Sequence, residues 1–364
     1  MKKILFLLHL PPPVHGSSIV GRNIYNSKII NKKIKANYIN LSLSNSVSKV
    51  KSVNILKILY SFVIIVKVFY SIIFNRPNLC YMALTVSGLA FFRDIMIISL
   101  LKIFRIKIVY HMHNKGVANY QNRFIYNILY RYAFNNVDVI LLSNRLYGDI
   151  EKYIKPCRKY VCPNGLLDNA KKYKKSLNIS NTPVKLLFLS NLIKSKGVFV
   201  LLDACKILEG KGYDFHCYFV GSEGDIDRST FEQALKKINF KNKVLYLGPM
   251  YDKNKDKILL ESDIFIFPTF YPMECFPLVI LEAMQFSTPV ISTNEGGILD
   301  IIDDVENGFI VKQKDPIDLA SKIEILMNDN NLRSRMGKKA RIKYEQNFTK
   351  EIFEHNMLNI LLKL

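Results

Sequence analysis

Two carboxylates, Glu274 and Glu282, stand eight positions apart where an apolar segment leads through a loop into a second apolar run. The segment 263–267 (DIFIF) predicts a buried strand, and Pro268 and Pro272 indicate a loop after it. Open α/β sheets bind ligands beyond the carboxyl ends of their strands, and free N–H groups at a helix N-terminus suit a phosphate. At ~100° per residue the two carboxylates lie near one helix face, so they can bind two sets of hydroxyls with a diphosphate between them. Such an arrangement suits a sugar nucleotide.

The composition allows two domains and a phosphate-bearing partner. The chain has 364 residues, 49% of them hydrophobic, which is ample for two buried cores. Its 52 Lys and Arg against 30 Asp and Glu give a net charge of +22. Nucleic acid, anionic lipid headgroups and phosphorylated substrates all fit this excess. No nucleic-acid-binding module is recognisable, so a basic nucleic-acid-binding protein stays only a remote alternative.

The cysteines indicate a protein of the reducing cytosol, and the N-terminal segment indicates a strand. None of the cysteines forms a C-x2-C pair, so a zinc site is not expected, and most lie in apolar segments typical of a core. Residues 1–10 (MKKILFLLHL) carry no cleavage site and lead into three prolines, so they predict a buried strand rather than a signal peptide. The six cysteines are Cys80, Cys157, Cys162, Cys205, Cys217 and Cys275.

Strand-like and helix-like runs alternate in both halves of the chain. This alternation predicts an α/β protein with a doubly wound parallel sheet in each half. The lysine-rich stretch 168–182 predicts the linker, and 318–364 predicts helix. The predicted strands are 3–9, 37–43, 79–84, 107–111 and 137–142 in the first half, and 184–189, 215–220, 244–247, 263–267 and 289–293 in the second.

The residues around the two glutamates carry a resemblance to a known family. A carboxylate pair alone is common on solvated helix faces, and an exposed acidic helix start without a ligand is the alternative. The run PTFYPMECFPLVILEAM at 268–284, followed by PVISTNEGG at 289–297, resembles the donor-binding motif of the family-four glycosyltransferases, the glycosyl transferases group 1. Members of that family are retaining enzymes of the GT-B fold, which has two Rossmann-like domains.

The resemblance implies a domain plan. Two Rossmann-like doubly wound domains are expected to face a central cleft. The first, 1–167, would bind the acceptor, and the second, 168–345, the nucleotide-sugar donor. The segment 346–364 is expected to form a helix that crosses back to the first domain.

In the second domain the resemblance implies roles for the donor-binding loop. Glu274 is expected to bind sugar hydroxyls as one of two catalytic residues, and Glu282 to bind the ribose. The backbone at Cys275, Phe276 and Leu278 is expected to approach the donor phosphates.

The segment 190–197 (SNLIKSKG) resembles the phosphate clamp of the family. Lys196 matches the clamp lysine, a point charge for the diphosphate. Asn191 stands where the family has Arg, so one cation is missing, and Lys194 is a candidate to compensate for it. The alternative for Lys196 is a solvated loop lysine. Asp300 stands where the family commonly has Glu, and a structural role is expected for it.

In the first domain the resemblance implies two further site segments. The loop with Gly16 and Ser17 resembles the glycine loop that approaches the donor diphosphate and the acceptor; the alternative is a plain helix cap, with Ser17 or Ser18 as the capping residue. His113 matches the histidine that contacts the donor sugar and is the second expected catalytic residue. His111 is expected to point into the sheet at the opposite pleat. An H-x-H metal site is the competing idea, but no third ligand is evident.

Two apolar stretches with interspersed cations, 53–74 and 90–109, indicate membrane contact. Lys57 and Lys67 keep the uninterrupted apolar run of the first shorter than the ~20 residues that a span needs. Such segments suit interfacial helices on an anionic membrane. The alternative is two ordinary helices that cover the first sheet. The expected location is the cytoplasm, peripheral at the inner face of the cell membrane.

The sequence thus predicts glycosyl transfer from a nucleotide-diphosphate sugar, in the first place a UDP-sugar, to a hydroxyl of a saccharide acceptor. The resemblance supplies retention, independence of metal and the absence of a cofactor. The basic, apolar first domain favours a lipid-linked acceptor, as in capsule or lipopolysaccharide assembly. A sugar-nucleotide epimerase or hydrolase on the same fold is the alternative; it would turn over the donor without an acceptor.

Overall fold

The computed structural model describes residues 1–42, 55–173 and 183–364. The chain divides into two compact units, one made of Met1–Gly165 with Lys350–Leu364 and the other of Leu166–Thr349. Residues 174–182 of the predicted linker and the start of the apolar stretch 53–74 lie outside the described residues.

The first unit is built on a six-stranded parallel sheet in the order β2-β1-β3-β4-β5-β6. The N-terminal segment forms its second position, where both faces are covered, and Ile4 to Leu8 are almost completely buried. Such continuous apolar runs are typical of parallel strands. The strands are β1 (Lys2–Leu8), β2 (Ile34–Asn40), β3 (Leu79–Met82), β4 (Lys107–Met112), β5 (Asp138–Leu141) and β6 (Lys159–Val161).

Helices cover both faces of this sheet. The chain moves from β1 to β2 in one direction and from β2 through β3 to β6 in the other, and right-handed crossovers therefore place α1 and α2 on one face and α3, α4 and α6 on the opposite face. The helices are α1 (Gly16–Tyr25), α2 (Lys28–Lys33), α3 (Ile55–Asn75), α4 (Gly88–Ile103), α5 (Val117–Tyr120) and α6 (Phe124–Phe134). Short 3-10 turns follow at Asn144–Asp149 and Pro156–Arg158.

The second unit repeats the architecture with a six-stranded parallel sheet in the order β12-β11-β10-β7-β8-β9. The strands are β7 (Val184–Leu189), β8 (Phe215–Val220), β9 (Lys243–Tyr246), β10 (Ile264–Phe267), β11 (Val290–Thr293) and β12 (Gly308–Val311). The helices are α7 (Val198–Gly210), α8 (Arg228–Ile238), α9 (Asp252–Glu261), α10 (Leu278–Gln285), α11 (Ile298–Ile301), α12 (Pro316–Asn328) and α13 (Asn330–Asn347), with 3-10 turns at Ala170–Lys172 and Lys194–Lys196.

The last helix, α14 (Lys350–Lys363), belongs to the first unit. Phe353, Met357 and Leu361 recur every four residues, so they share one helix face. That face joins the core cluster that contains Val20 and Ile24 of α1. The end of the chain therefore covers the same face of the sheet as α1 and α2.

In each sheet the strand order reverses once: successive strands are added first on one side of the starting strand and then on its other side. In the first unit β1 lies between β2 and β3, and in the second β7 lies between β8 and β10. The loops after the two central strands of such a pair diverge, and the crevice they leave at the carboxyl ends is where doubly wound sheets bind ligands. The relevant loops are those that follow β1 and β3 in the first unit and β7 and β10 in the second.

Candidate functional site

An ion pair between Lys196 and Glu274 lies beyond the carboxyl ends of β7 and β10, where the strand order of the second sheet reverses. Lys196 follows β7 and Glu274 follows β10, and Lys196 Nζ donates to Glu274 Oε2. Only 14% of the lysine side chain and 10% of the glutamate side chain are exposed. The ammonium group also lies 4.5 Å from the ring centroid of Tyr271 and 5.3 Å from that of Phe267. Carboxylate and aromatic faces thus hold a largely desolvated cation at the carboxyl edge of the sheet.

Two glycines allow the neighbouring loops to pack closely against the segment that carries Glu274. Gly197 has a φ of +91°, and a Cβ there would lie 2.3 Å from the carbonyl oxygen of Pro268. Gly296 has a φ of +58°, and a Cβ there would lie 2.3 Å from the carbonyl oxygen of Glu274. Any side chain would collide with backbone at both positions, so the loops after β7 and β11 can approach the loop after β10 only because these residues are glycines.

Glu282 lies in the second turn of α10 and is paired with a residue that the sequence did not single out. Its Oε1 accepts from Lys255 Nζ of α9 at 2.7 Å, with 14% and 25% of the two side chains exposed. Because α10 begins at Leu278, Glu274 stays in the loop, and the expectation that the two carboxylates lie near one helix face is wrong. Each carboxylate has its own lysine partner instead.

The backbone between the two glutamates leads into the first turn of α10. Cys275, Phe276 and Leu278 are all buried, and Gly297 N donates to Cys275 O at 2.7 Å. Pro277 is the N-cap residue of α10, and its side chain makes no capping hydrogen bond. The first turn therefore offers backbone N–H groups and the positive end of the helix dipole next to the ion pair.

The other predicted residues of the second unit lie in the same group of loops. Asn191 is half-buried in the loop after β7, and Lys194 is exposed, with its backbone N–H donating to Asp225 Oδ1 at 2.7 Å. Asp300 lies in α11, where its N–H donates to Gly297 O at 3.0 Å. Lys194 is thus close in sequence to the Lys196 site but solvated.

In the first unit helix α1 follows the loop after β1, and its N-cap residue is a histidine rather than a serine. His15 is the N-cap of α1: its Nδ1 accepts from Ser18 N at 3.3 Å, and its own N–H donates to Ser18 Oγ at 2.9 Å. Ser17 Oγ lies 3.0 Å from the same Nδ1. In the alternative of a plain helix cap, the capping residue is thus His15 and not Ser17 or Ser18, because the imidazole takes the acceptor role. Gly16 is exposed, and a Cβ there would meet no atom within 4 Å, so internal packing does not require glycine.

His111 and His113 point to the same side of the sheet. Their ring centroids are 4.1 Å apart, and His111 is fully buried with its Nδ1 in contact with the Tyr81 hydroxyl. The expectation that His111 points to the opposite pleat is wrong, because side chains alternate along a strand with a period of two. His111 therefore supports the ring of His113 from inside the sheet edge.

Four histidines at this edge are held neutral by their surroundings. Burial, with smaller contributions from Arg93, His15 and His113, lowers the pKa of His9 to about 3, and burial lowers the pKa of His111 to about 3. Burial also lowers the pKa of His15, and burial together with His111 and His15 lowers that of His113 well below its usual value. At neutral pH these rings are hydrogen-bonding groups rather than cations.

Sequence reasoning missed Lys255, Tyr271 and His9. Tyr271 lies inside the donor-motif segment, so its position was the available signal; burial and the neighbouring Glu274 raise the pKa of its hydroxyl. Lys255 is one of several lysines in a polar helix and carries no local signal. Over the ranges that the structure describes, no group of three or more His, Cys, Asp or Glu side chains could hold a metal ion.

The second unit matches a known family. Residues 169–343 fit the family model described as glycosyl transferases group 1. This part of the chain is therefore similar in sequence to that family. The resemblance carried by residues 268–297 is confirmed for that part.

Relatives and solved structures extend the likeness to the rest of the chain. The capsular polysaccharide biosynthesis glycosyltransferase CapM of Staphylococcus aureus is 32% identical over 203 residues, 54% of this chain and 51% of that protein. The N-acetyl-alpha-D-glucosaminyl L-malate synthase of Bacillus anthracis is 27% identical over 256 residues, 68% of this chain and 65% of that protein. The matches thus span about half to two thirds of these relatives. The crystal structure of Anabaena HepE in complex with UDP covers 100% of both chains with a TM-score of 0.77 and 18% identity. The expected fold, two doubly wound α/β units of the GT-B type, is confirmed.

We predict that the neutral histidines make stability depend on pH. Between about pH 3 and 6.5 the unfolded chain binds more protons than the folded one, so the free energy of unfolding falls as the pH drops below about 6.5. Each buried histidine contributes a slope of up to ~1.4 kcal/mol per pH unit in that window. Urea unfolding at pH 7 and pH 5 should show a smaller difference for His111→Phe than for wild type. The matched control, His355→Gln at an exposed position of α14, should keep the wild-type difference; equal differences in all three proteins would contradict the assignment.

We predict that Gly296→Ala lowers the free energy of unfolding more than Gly212→Ala, because the alanine at 212 strains the backbone without colliding with another atom. Gly212 has a φ of +82°, but a Cβ there would meet no atom within 4 Å, so Gly212→Ala adds only the left-handed strain of ~1–2 kcal/mol. Gly296→Ala adds the collision with Glu274 O, about 1–3 kcal/mol more. Urea unfolding of the two variants measures the difference, and equal values would mean that the loops are not in close contact.

Proposed function

We propose that this chain is a glycosyltransferase that moves a sugar from a nucleotide-diphosphate sugar, in the first place a UDP-sugar, to a saccharide hydroxyl in cell-surface polysaccharide synthesis. The observation that carries the proposal is the buried Lys196–Glu274 pair beside the first turn of α10, within the part of the chain that matches glycosyl transferases group 1. The names of the relatives support it: CapM is a capsular polysaccharide biosynthesis glycosyltransferase, and HepE was crystallised with UDP.

Donor binding would exchange one partner of Lys196 for another. The diphosphate takes the ammonium group and the N–H groups at Phe276 and Leu278, while Pro277 has no N–H to give. Glu274, released from its ion pair, accepts hydrogen bonds from sugar hydroxyls. Glu282 accepts from the ribose hydroxyls, and Lys255 holds its carboxylate in place. Negative charge that develops on the departing nucleotide diphosphate meets a cation and amides that are already in position.

The stereochemical part of the proposal is retention of the anomeric configuration without a metal or a cofactor, as the family resemblance implies. His113, neutral at physiological pH, contacts the sugar near the anomeric carbon as a hydrogen-bonding group. The acceptor hydroxyl attacks from the face that the leaving group departs from. Gly16 and Ser17 contribute backbone and hydroxyl groups to substrate binding. Asn191 carries no charge where the family has Arg, so Lys196 supplies most of the positive charge.

The acceptor is proposed to be lipid-linked, and the enzyme to work in the cytoplasm at the inner face of the cell membrane. The net charge of +22 and the apolar helices of the first unit support this. A basic protein accumulates at an anionic membrane surface, where a lipid-linked saccharide is held.

We predict that removing the Lys196 ammonium group weakens donor binding selectively. Calorimetric titration with UDP-, GDP-, ADP- and dTDP-sugars should show saturable binding of one nucleotide class. Lys196→Met should weaken it about tenfold to a hundredfold, because a charge-assisted contact is worth roughly 1.5–3 kcal/mol. Lys206→Met, at an exposed position of α7, is the matched control and should bind like wild type. No binding of any nucleotide sugar by folded protein would refute the donor site.

Transfer is separated from donor hydrolysis or epimerisation by the need for an acceptor. With a labelled sugar donor and a lipid extract that contains glycan intermediates, the label should appear in the lipid fraction, and nucleotide release should rise when the extract is added. Equal turnover of the donor with and without the extract would favour a hydrolase or an epimerase on this fold.

A further inference from the structure

The outer surface of three neighbouring helices in the first unit is apolar. On α4, Leu89, Phe92, Met96 and Ile103 are exposed by 55%, 41%, 53% and 72%. Their spacing places them on one side of the helix, opposite the fully buried Ile97, Ile98 and Leu101. The helices on both sides of α4 continue this surface. The exposed apolar residues of α3 are Ile58, Leu59, Tyr60, Phe62, Val63, Val66, Phe69, Tyr70, Ile73 and Phe74, and those of α6 are Phe124, Ile125, Ile128 and Tyr132.

Side-chain contacts join the three helices into one surface, here called the α3–α4–α6 face. The ring of Phe69 on α3 lies 5.9 Å from that of Phe104 at the end of α4, and Phe92 on α4 lies 6.1 Å from Tyr126 on α6. Tyr132 Oη donates to Ser99 Oγ at 3.1 Å. Soluble monomers rarely expose a continuous apolar surface of this extent, and such a surface marks an interaction site.

The charges around this face have one sign. The sequences of α3, α4 and α6 contain a single acidic residue, Asp94, which is fully buried and paired with Arg93 at 2.7 Å. Lys67 on α3 and Arg131 on α6 are exposed at the flanks of the apolar rows, and Arg105 is exposed just after α4. A second copy of the chain would bring like charges together, whereas an anionic partner complements them.

Packing of α3 restricts how a membrane can be met. By length and composition α3 could cross a bilayer. Yet Ile64, Val68 and Ile72, which recur every four residues, are almost completely buried in the unit, and Ser71 Oγ accepts from Asn37 Nδ2 of β2 at 2.7 Å. One side of the helix is thus part of the protein core and only the other side is available to lipid, which is the condition of an interfacial helix.

We propose that the α3–α4–α6 face docks on an anionic lipid bilayer, with its apolar side chains in the headgroup boundary and Lys67, Arg105 and Arg131 on lipid phosphates. The proposal deepens the proposed function, on which its link to a lipid-bound acceptor rests. Leu89 and Phe92 begin α4, and Phe124 and Ile125 begin α6, so they follow the loops after β3 and β4. The part of the face that they form is therefore nearest the sheet edge that carries His113.

The test is sedimentation with vesicles of phosphatidylcholine alone or mixed in equal parts with phosphatidylglycerol. The protein should bind the mixed vesicles and be released by high salt. The double variant Phe62→Ser/Phe124→Ser should lose binding at least about tenfold, since two large apolar side chains leave the interface. Lys67→Gln/Arg131→Gln should lose about tenfold or more, because each cation near an anionic surface contributes about a factor of five.

Matched controls lie in the second unit. Ile317, 71% exposed on α12, gives Ile317→Ser, and the exposed α8 pair gives Lys236→Gln/Lys237→Gln; both should bind vesicles like wild type. Equal binding to the two vesicle types, or equal loss in tests and controls, would overturn the proposal. A dimer in solution that dissociates in Phe62→Ser/Phe124→Ser, without vesicle binding by wild type, would also overturn it and identify the face as a self-association surface. Nucleotide-sugar titration of the same proteins is independent of vesicles, so its failure would count against the proposed function alone.

Discussion

The site of the second unit depends on two positions without side chains. Gly197 and Gly296 let the loops after β7 and β11 touch the backbone of the loop after β10, at Pro268 and at Glu274. The order of the sheet brings these three strands side by side, and the glycines turn that neighbourhood into direct backbone contact. Lys196 directly precedes Gly197, so the backbone contact at this glycine places the lysine side chain beside Glu274.

Charge balance within each ion pair stabilises the partly buried lysines and carboxylates of this site. Two carboxylates and two lysines lie in partly buried positions, and an unpaired charge there would be unfavourable. Lys196 is paired with Glu274 and Lys255 with Glu282, so each of these charges has a partner of the opposite sign. In the proposed donor complex a diphosphate replaces Glu274 as the partner of Lys196, and sugar hydroxyls replace Lys196 as the partners of Glu274, while Lys255 stays paired with Glu282.

The central strands were predictable because a strand buried on both faces is a continuous apolar run. The predicted bounds 184–189 and 215–220 coincide with β7 and β8. The predicted strand 37–43, whose last residue lies outside the described ranges, is displaced from β2, an edge strand whose partly exposed residues leave only a weak pattern. The pairing of Lys255 with Glu282 joins helices that only tertiary packing brings together, and the cap at His15 depends on an imidazole in a role usually taken by serine. Neither had a sequence signal. The motif residues of the second unit were found through the family resemblance, which a short local stretch of sequence carries.

A crystal structure of the protein with UDP would show whether the diphosphate replaces Glu274 as the partner of Lys196. We expect the diphosphate in contact with Lys196 Nζ and the first-turn N–H groups of α10, the ribose hydroxyls at Glu282, and the ion pair between Lys196 and Glu274 opened. UDP bound at another place on the chain, or bound here with that ion pair intact and the diphosphate away from Lys196, would contradict the proposed donor site.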